Sequence, residues 1–535
     1  MKLNTLPVSL VCCLTIICFC FNAGSQSVGI NPSGAAPHSS AMLDVSSNDK
    51  GFLPPRMTWA QIQAIPNPAT GLIVYDIGLK AIRLYNGSSW VVLSERVESF
   101  SDGPGNFTAI PTGGNGFIGV QDMYIRADKS VGIVGYVSAN ASIGSYNFTP
   151  SGVDIFMALL DSVGNVTWAQ MLGSTGSDNA LGVTFDASNN MYVCGSFQGT
   201  VDFDPGVGIQ NLTVLAGTDG FYAKYTNSGA LVWAKRTGAQ ATEIVTDGTN
   251  VIVGGVFAGT RNFNPTSLTA FGGNDIFLAK YQASDGNIGT GFAIHIGSST
   301  GNESLSNLKL YGGNPILCGS FEGVCDFNGM TRTSNGNTDG FYATYNSFGG
   351  VASVTQIGGA SNDNIAGIAS DASGNVYITG YFYLTVDFDP GAGTQNRTSA
   401  GASDLFVAKY NSGGAFVYVR TFGGVTDESP IDHYFEIDNN SNLYLMGFFN
   451  FSASFFPFSF TTYGSFDVAL VKLNSSGTIL WAQQAGGTNL DSPGGLSVSA
   501  DGKLIYTSVY YSGLPGLNFK KIRTYKSFDI MRYEE

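Results

Sequence analysis

The amino-acid sequence predicts an all-β protein: a seven-bladed β-propeller of four-stranded antiparallel blades, preceded by a small N-terminal module. Three observations predict it: phrases that recur seven times, turn residues at the spacing of short antiparallel strands, and strands that are apolar on both faces. The composition agrees, because glycine occurs 71 times, aromatic residues make up 13% of the chain and charged residues only 12%. With 43% hydrophobic residues, the 535-residue chain can bury a large core, which argues against long disorder.

Three phrases recur in one order along the chain. The first is Val376–Gly380, and its seven copies end 60, 60, 64, 61, 67 and 61 residues apart. The second is Asp404–Tyr410, and the third, Asp387–Gly391, has its best partner at Asp202–Gly206. Such a period indicates a repeat architecture. The other copies of the second phrase begin at Asp154, Asp219, Asp275, Asp339, Asp467 and Asp529.

Each unit contains four predicted strands. In the fifth unit, strand one is Ile365–Ser370, strand two Val376–Phe382 and strand three Leu405–Tyr410, and a longer connection carries the Asp387–Gly391 phrase. Strand four resembles Leu231–Lys235 of the second unit, and a Gly-Gly pair then returns the chain to the next unit.

Strand three is largely apolar on both faces. Phe406, Ala408 and Tyr410 share one face, and Leu405, Val407 and Lys409 share the other. A sheet of this kind must be covered on both sides, and blades stacked round an axis cover each other in that way. We therefore predict a propeller over residues 121–535 rather than a single sandwich.

The seventh unit ends with strand three and lacks a fourth strand. Strand one of the first unit is predicted near Gln121–Ala127, so a segment before it must supply the missing strand and protect the exposed edge. The candidates are Trp90–Leu93 and Phe107–Pro111. Residues 95–120 are accordingly predicted to be a linker that supplies the closing strand.

The first 25 residues have the layout of a secretory signal peptide. Lys2 gives a positive start, Leu6–Phe21 is apolar, and cleavage is expected near Ser25. The alternative is a retained membrane anchor, but the apolar run is shorter than the ~20 residues that a span needs. We expect a secreted or cell-surface protein without a transmembrane span in the mature chain. The mature chain keeps Cys194, Cys318 and Cys325. Cys194 and Cys318 are predicted to be buried thiols, and a Cys318–Cys325 bridge is the alternative.

These phrases resemble the SBBP-type β-propeller repeat of secreted bacterial proteins over roughly residues 115–535. The resemblance implies a propeller and export, and it implies no catalytic residues. Residues 26–94 differ: Lys50–Met57 resembles an N-terminal module of exported Bacteroidetes-type proteins, whereas Gly71–Asp76 and Leu84–Trp90 are similar to phage tail-fibre segments. We interpret 26–94 as a stalk or oligomerisation collar, with a short helix within Thr58–Ile65.

The Asp-Phe-Asp-Pro-Gly phrase is the best candidate for a metal site. Asp202 and Asp204, like Asp387 and Asp389, are two residues apart, so both carboxylates of a pair point the same way on an extended segment and are suited to Ca²⁺. Only two units keep both acids, whereas most keep the elements of a turn. A structural turn is therefore the favoured interpretation, and calcium is the alternative.

Other chemistry-bearing residues follow the repeat or stand alone. The recurring aspartates and Lys224, Lys280, Lys409 and Lys472 are predicted to cap turns and neighbouring strands. Trp168, Trp233 and Trp481 are predicted to pack in strand four, with a carbohydrate platform as the alternative. The three histidines of the mature chain, His38, His295 and His433, lack metal-ligand spacing. His38 lies in the N-terminal module, and His295 and His433 are predicted to be ordinary strand or loop residues.

The sequence favours a non-catalytic binding scaffold without a cofactor. Its partner is expected to be an extracellular protein or a glycan, because propellers expose variable loops. The net charge of −14 disfavours nucleic acid. The alternatives are a carbohydrate-active enzyme, a glycosidase or lyase with carboxylates at the channel mouth, and a structural adhesin or appendage subunit assembled through residues 26–94.

Overall fold

The computed structural model divides into two compact units, residues 1–99 and 100–535, and the division falls within the predicted linker. The predicted signal segment, His38 and His433 lie outside the described residues, and only the backbone of the segments at 108–114 and 528–534 is described. The structure describes residues 28–30, 32, 43–47, 52–77, 81–85, 87, 90–93, 108–110, 112–114, 118–263, 265–424, 428–429, 434–455, 457–486, 490–511 and 528–534.

The N-terminal unit contains one helix and two small sheets among its described residues. Helix α1, Trp59–Gln63, lies within the predicted segment, and Thr58 caps it in a reciprocal capping box with Gln61. None of the described helices is long and apolar enough to cross a membrane. Strands β1 (Val28–Ile30) and β2 (Leu43–Val45) pair in parallel, and a four-stranded sheet consists of β3 (Arg56–Met57), β4 (Ile73–Asp76), β5 (Ala81–Tyr85) and β6 (Trp90–Leu93).

The second unit begins with two short strands and repeat 1. Strands β7 (Thr108–Ile110) and β8 (Thr112–Gly114) precede the repeat, and β8 pairs with an inserted hairpin, β11 (Ala141–Ile143) and β12 (Tyr146–Phe148). The sheet of repeat 1 consists of β9 (Ile118–Ile125), β10 (Val131–Val137), β13 (Asp154–Leu160) and β14 (Val166–Leu172).

Repeats 2 to 4 have the same four-stranded antiparallel order. Repeat 3 also carries a small hairpin, β21 (Thr260–Asn262) and β22 (Ser267–Thr269), and two residues of its last strand pair with repeat 4. The strands are β15 (Asn179–Phe185), β16 (Met191–Asp202), β17 (Asn211–Tyr225) and β18 (Leu231–Arg236) in repeat 2; β19 (Gln240–Thr246), β20 (Asn250–Phe257), β23 (Asp275–Gln282) and β24 (Ala293–Ser298) in repeat 3; and β25 (Ser304–Tyr311), β26 (Asn314–Asp326), β27 (Thr331–Tyr345) and β28 (Val351–Ile357) in repeat 4.

Repeats 5 to 7 complete the unit. The first strand of repeat 6 is divided into two short segments, β33 (Glu428–Ser429) and β34 (Phe435–Ile437). The remaining strands are β29 (Asn364–Ser370), β30 (Val376–Asp387), β31 (Asn396–Tyr410) and β32 (Phe416–Phe422) in repeat 5; β35 (Leu443–Phe455), β36 (Phe458–Leu473) and β37 (Ile479–Ala485) in repeat 6; and β38 (Asp491–Val498), β39 (Leu504–Tyr511) and β40 (Phe528–Glu534) in repeat 7.

The middle strands of repeat 5 are longer than the sequence predicts. Strand β30 runs to Asp387 instead of Phe382, and β31 starts at Asn396 instead of Leu405. A bulge between Tyr383 and Thr385 bends the strand, and Leu384 in that bulge has a φ of 58°. The predicted loose connection is therefore a hairpin, whose tip carries the Asp-Phe-Asp-Pro-Gly phrase.

Apolar clusters lie between consecutive repeats. The two faces of β31 separate as predicted: Phe406, Ala408 and Tyr410 pack in a cluster shared with repeat 4, whereas Leu405 and Val407 pack in one shared with repeat 6. The cluster around repeat 1 includes residues of repeat 7, which are Leu504 and Tyr506. The last repeat therefore packs against the first.

The first strands of the repeats contact one another in series. The contacts run from β9 through β15, β19, β25, β29, β34 and β38, and β38 again contacts β9. Strand β7 pairs antiparallel with β40, so Thr108–Ile110, within one of the two candidate segments, forms the edge strand of the repeat 7 sheet. The other candidate, Trp90–Leu93, pairs with β5 in the N-terminal unit.

Candidate functional site

The paired aspartates of the hairpin tips cap backbone turns. Asp202 Oδ1 accepts the N–H groups of Asp204 (3.0 Å) and Gln210 (2.8 Å), and Asp204 Oδ1 accepts that of Gly206 (2.8 Å). Asp387 and Asp389 make the same bonds in repeat 5. Among the described residues no three metal-ligating side chains come together. Calcium binding at these four aspartates stays a prediction.

The phrase at the hairpin tip and the strand-three phrase are joined by one hydrogen bond in each repeat that carries both. The buried Phe388 offers its carbonyl to the hydroxyl of Tyr410 (2.9 Å), and Phe203 does the same for Tyr225 (3.1 Å). This bond ties the hairpin tip to the sheet in repeats 2 and 5.

The aspartates that begin strand three are buried caps. Asp339 Oδ2 accepts the N–H of Asn335 (3.1 Å), and burial raises the pKa of its carboxyl. Gly358, from the Gly-Gly return, lies against this carboxylate and leaves no room for a Cβ. The same arrangement recurs at Asp154, Asp275, Asp404 and Asp467.

The recurring lysines and aromatic residues form what we call the junction cluster, which in repeat 2 consists of Asp186, Tyr192, Lys224 and Trp233. The Tyr192 hydroxyl donates to Asp186 Oδ2 (3.0 Å), and Lys224 Nζ lies 4.9 Å from the centre of the Tyr192 ring. Lys224 Nζ and Trp233 Nε1 both donate to the carbonyl of Ala283 in repeat 3, at 3.1 and 3.3 Å. The cluster therefore binds the backbone of the next repeat.

The surroundings of Asp186 in this cluster keep its carboxylate charged. Burial alone would raise the pKa of the Asp186 carboxyl, but hydrogen bonds from Asn190 and Tyr192 and the charge of Lys224 outweigh burial and lower it. The pKa of Tyr192 is raised by burial and by Asp186, so its hydroxyl keeps its proton as a donor.

Repeats 5 and 6 have the same cluster. In repeat 5, Tyr377 donates to Asp371 (3.1 Å), and Lys409 lies 4.8 Å from the Tyr377 ring and 3.4 Å from the carbonyl of Ser475. The cluster of repeat 6 consists of Asp438, Tyr444, Lys472 and Trp481.

Repeats 1 and 3 make the junction with variants of the cluster. In repeat 1, Trp168 Nε1 donates to the carbonyl of Asn227 (3.0 Å) and Arg126 donates to the side chain of the same residue. In repeat 3, Lys280 donates to the carbonyl of Ser347 (3.0 Å), and Phe292 packs beside Gly349. The three recurring tryptophans thus pack at junctions between repeats, as predicted from strand four.

Repeat 4 replaces every member of the junction cluster. The strand registers align Tyr311 with Asp186, Ile316 with Tyr192, Thr344 with Lys224, and Ser353 with Trp233. Thr344 and Ser353 only bond each other, with 2.7 Å between their hydroxyl oxygens.

A cavity of about 990 Å³ lies where this cluster is missing. All four replacing residues line it, together with the strand-three to strand-four turn of repeat 5, 411–415. We call this cavity the 4–5 cleft. Its repeat 4 wall includes Arg332, Tyr342 and Gln356, and its repeat 5 wall includes Asp387 and Asp389. The structure thus places two of the four predicted site residues in the cleft.

A second group of charged residues lies on the first strands. Lys309 of β25 reaches Glu436 of β34, two repeats away, with 3.0 Å between Nζ and Oε1. The intervening strand has Ala369 at the equivalent position, which leaves space for the pair. Burial opposes the charge of Lys309, but Glu436, Asp122 and Glu243 outweigh it and raise the lysine pKa.

The two other acids of this group join neighbouring first strands. Asp122 Oδ1 accepts the N–H of Met123 (2.8 Å) and Oδ2 that of Val183 (2.8 Å), and Glu243 Oε2 accepts that of Leu308 (3.3 Å). These acids therefore contribute to packing between repeats.

The described histidine and the cysteines agree with the ordinary roles expected of them. His295 packs edge-on against Phe271, with 4.3 Å between ring centres. Cys194, Cys318 and Cys325 are buried thiols, so the structure contains no Cys318–Cys325 bridge.

Comparison with family models decides the nature of the repeat. Residues 354–381 match the model of the SBBP β-propeller repeat, from the last strand of repeat 4 into β30. The chain carries an SBBP repeat. Residues 29–108, before the SBBP repeats, match the model described as a phage tail like trimerisation region, and this confirms the tail-fibre resemblance of the N-terminal module. No curated protein matches the chain.

Solved structures similar to this SBBP-repeat chain share little sequence with it. Sqt1 from Chaetomium thermophilum is 9% identical, with a TM-score of 0.37 over 76% of this chain and 97% of Sqt1. A putative 6-phosphogluconolactonase from Bacteroides fragilis is 12% identical, at 0.36 over 74% and 97%. BamB from Moraxella catarrhalis is 11% identical, at 0.31 over 80% and 98%. At these scores the likenesses decide neither blade number nor activity.

Sequence reasoning missed the 4–5 cleft and the charged group on the first strands. The cleft had a signal: repeat 4 has Thr344 where four other repeats have lysine. The sequence signal for the first-strand acids was weaker: Asp122 and Glu243 occupy a position where repeats 2, 5 and 7 have glycine.

Proposed function

We propose that this chain is an exported, non-catalytic binding scaffold: a closed ring of seven blades that binds an extracellular glycan or protein. The observation that carries the proposal is the difference between the junctions. The charged and aromatic residues of the repeat hold neighbouring repeats together, whereas the junction between repeats 4 and 5 lacks them and contains a cavity instead. The cavity at this junction gives the scaffold a candidate ligand site.

The ring of seven blades is supported by the series of first-strand contacts, which returns to its start, and by the apolar cluster that repeat 7 shares with repeat 1. Strand β7 contributes the fourth strand of the last sheet, so each repeat is expected to form one blade. A density map of the full chain with six or eight blades would contradict the ring.

The non-catalytic role is supported by the structural contacts that the acids nearest the ring centre already make. A glycosidase or lyase would need two carboxylates available to substrate. Glu436 is paired with Lys309, Asp122 accepts backbone N–H groups with both oxygens, and Glu243 accepts one from the next first strand. These roles favour a scaffold over a carbohydrate-active enzyme whose catalytic acids lie at the ring centre.

The N-terminal module is proposed to assemble the protein into trimers that display the ring outside the cell. The match of residues 29–108 to a trimerisation region supports this. Light scattering during gel filtration of the full chain is expected to give three chains per particle. Val74 is buried in the module, so Val74→Asp should disrupt the module's own sheet and prevent trimer formation. The variant should be a monomer that keeps the β-sheet circular dichroism of the repeats. A wild-type monomer would contradict trimeric display but not binding.

A glycan and protein array, followed by product analysis of every glycan that binds, tests the function itself. The proposal expects binding without cleavage. Cleavage of a bound glycan would favour the enzyme. If the chain forms trimers but binds nothing on the array, the purely structural adhesin is favoured.

A further inference from the structure

We propose that the 4–5 cleft binds a neutral oligosaccharide. This inference rests on the proposed binding function and names its site and ligand class. It starts from the repeat itself: at other described junctions, the space next to the strand-three to strand-four turn holds an aromatic side chain, such as Trp168, Trp233 or Tyr418. In repeat 4 this space is open.

The cleft offers aromatic surface for stacking. Tyr311 lies at its edge with 43% of its surface exposed, and its hydroxyl approaches Gly374 of repeat 5. Tyr342 is buried in the wall at 3% exposure, so it supports the wall while Tyr311 supplies the stacking surface. Aromatic rings beside polar groups suit a sugar, which has apolar C–H faces and hydroxyl edges.

The polar groups of the cleft match hydroxyl groups, which both donate and accept. Asp387 and Asp389 use Oδ1 to cap the hairpin tip, and Oδ2 of each has no hydrogen-bond partner within the described structure. Asn411 likewise uses its carbonyl oxygen for the turn, which leaves its amide N–H groups for a ligand. Carboxylate acceptors and amide donors therefore face one cavity from the repeat 5 side.

The charge of the cleft selects a neutral sugar over an acidic one. Two carboxylates face one guanidinium, and Arg332 already donates to the carbonyls of Thr331 (2.9 Å) and Val354 (2.7 Å). The chain as a whole carries a net charge of −14, which repels anions. The volume of about 990 Å³ lies at the upper end of ligand pockets and accommodates several sugar rings.

The walls are held in place before a ligand arrives. Tyr345 donates to the carbonyl of Phe327 (3.2 Å) on the repeat 4 side, and Tyr410 donates to that of Phe388 (2.9 Å) on the repeat 5 side. Both sheets also share an apolar cluster behind the cleft. A preformed site loses little entropy on binding.

The test is calorimetric titration of the full chain with neutral hexasaccharides of glucose, mannose, xylose and N-acetylglucosamine, and with a polyuronate for comparison. At least one neutral sugar is expected to bind, and the polyuronate is not. Ser353→Trp restores the aromatic residue of the other junctions, so it should abolish binding while the melting temperature is kept. Tyr311→Ala should weaken binding roughly tenfold through lost stacking.

The matched control is Trp168→Ser, which opens the junction between repeats 1 and 2 and should leave sugar binding unchanged. Neutral sugars that bind Ser353→Trp as tightly as the wild type would overturn the site, and a chain that binds only the polyuronate or none of the sugars would overturn the ligand class. If the array instead yields a protein ligand whose binding is unchanged by Ser353→Trp, this inference is refuted but the proposed binding function stands.

Discussion

Repeats 2 and 4 share almost the same third strand, yet their junctions differ. Asp219–Tyr225 and Asp339–Tyr345 differ at one position, where repeat 2 has Lys224 and repeat 4 has Thr344. In repeat 2, Lys224 and Trp233 bind the backbone of repeat 3, whereas in repeat 4 the matching positions line a cleft. A blade is thus maintained by its apolar faces, and the contact to the next blade depends on a separate, small set of residues.

The largest loss of stability is expected when the junction residues of repeat 2 are replaced by those of repeat 4. Trp233 is 8% exposed, and Lys224→Thr with Trp233→Ser removes the aromatic ring and both bonds to Ala283. We expect a loss of about 3 kcal/mol in the free energy of unfolding, as for other large-to-small core changes. Chemical denaturation measures it, and Trp168→Ser, at a half-buried site, should cost less. A loss no larger than that of Trp168→Ser would contradict a structural role for the cluster.

A pH dependence of stability is expected from the acid that precedes the first strand of repeat 4. Burial, helped by the charge of Asp275, raises the pKa of Glu303 in repeat 4 from 4.5 to about 7. A carboxyl whose pKa rises on folding holds its proton more tightly in the folded state, so its contribution to stability is complete below pH 4.5 and is lost as the pH rises through 7.

The melting temperature should therefore be lower at pH 8 than at pH 5. Asp363 in repeat 5, whose pKa burial raises to about 6, adds to the same trend. Thermal melts of wild type and Glu303→Gln across this range measure the effect, and the variant should show a smaller decrease. An equal decrease in both proteins would exclude Glu303 as a contributor.

A smaller change, a gain in stability, is expected when the junction residues of repeat 4 are replaced by those of repeat 2. Thr344→Lys with Ser353→Trp fills the 4–5 cleft and restores a donor to the turn of repeat 5. Filling a cavity of this kind stabilises a protein by about 1 kcal/mol. Denaturation of the double variant beside Thr344→Val, which fills nothing, measures the gain, and a double variant less stable than wild type would indicate that the cleft walls are too rigid to accept the ring.

The smallest effect is expected at a single lysine. Lys409→Met in repeat 5 keeps the aliphatic stem over Tyr377 but removes the charge and the bond to Ser475. The loss should be about 0.5–1 kcal/mol, as for exposed cation–π pairs. Thr344→Met, at the matching position of repeat 4, removes only the hydroxyl bond to Ser353 (2.7 Å) and serves as the control. Equal losses at both sites would contradict the role of the ammonium group.

The repeat period, the strand order and the two apolar faces of strand three could be predicted from sequence because each depends on local patterns. The length of the middle strands could not, since the bulge at Leu384 allows pairing to continue where composition suggests a loop. The 4–5 cleft results from four replacements up to 42 positions apart, between Tyr311 and Ser353, that meet only when strand registers are known. Likewise, the Lys309–Glu436 pair joins residues two repeats apart.

The pairing of β7 with β40 has a consequence for biogenesis. Strand β7, made before repeat 1, can pair with β40 only after repeat 7 has left the ribosome. Until then the backbone N–H and C=O groups of β7 lack their partner strand, and β7 can pair with strands of other chains. Translation of repeat 7, rather than the folding of any earlier repeat, thus determines when this four-stranded sheet is complete.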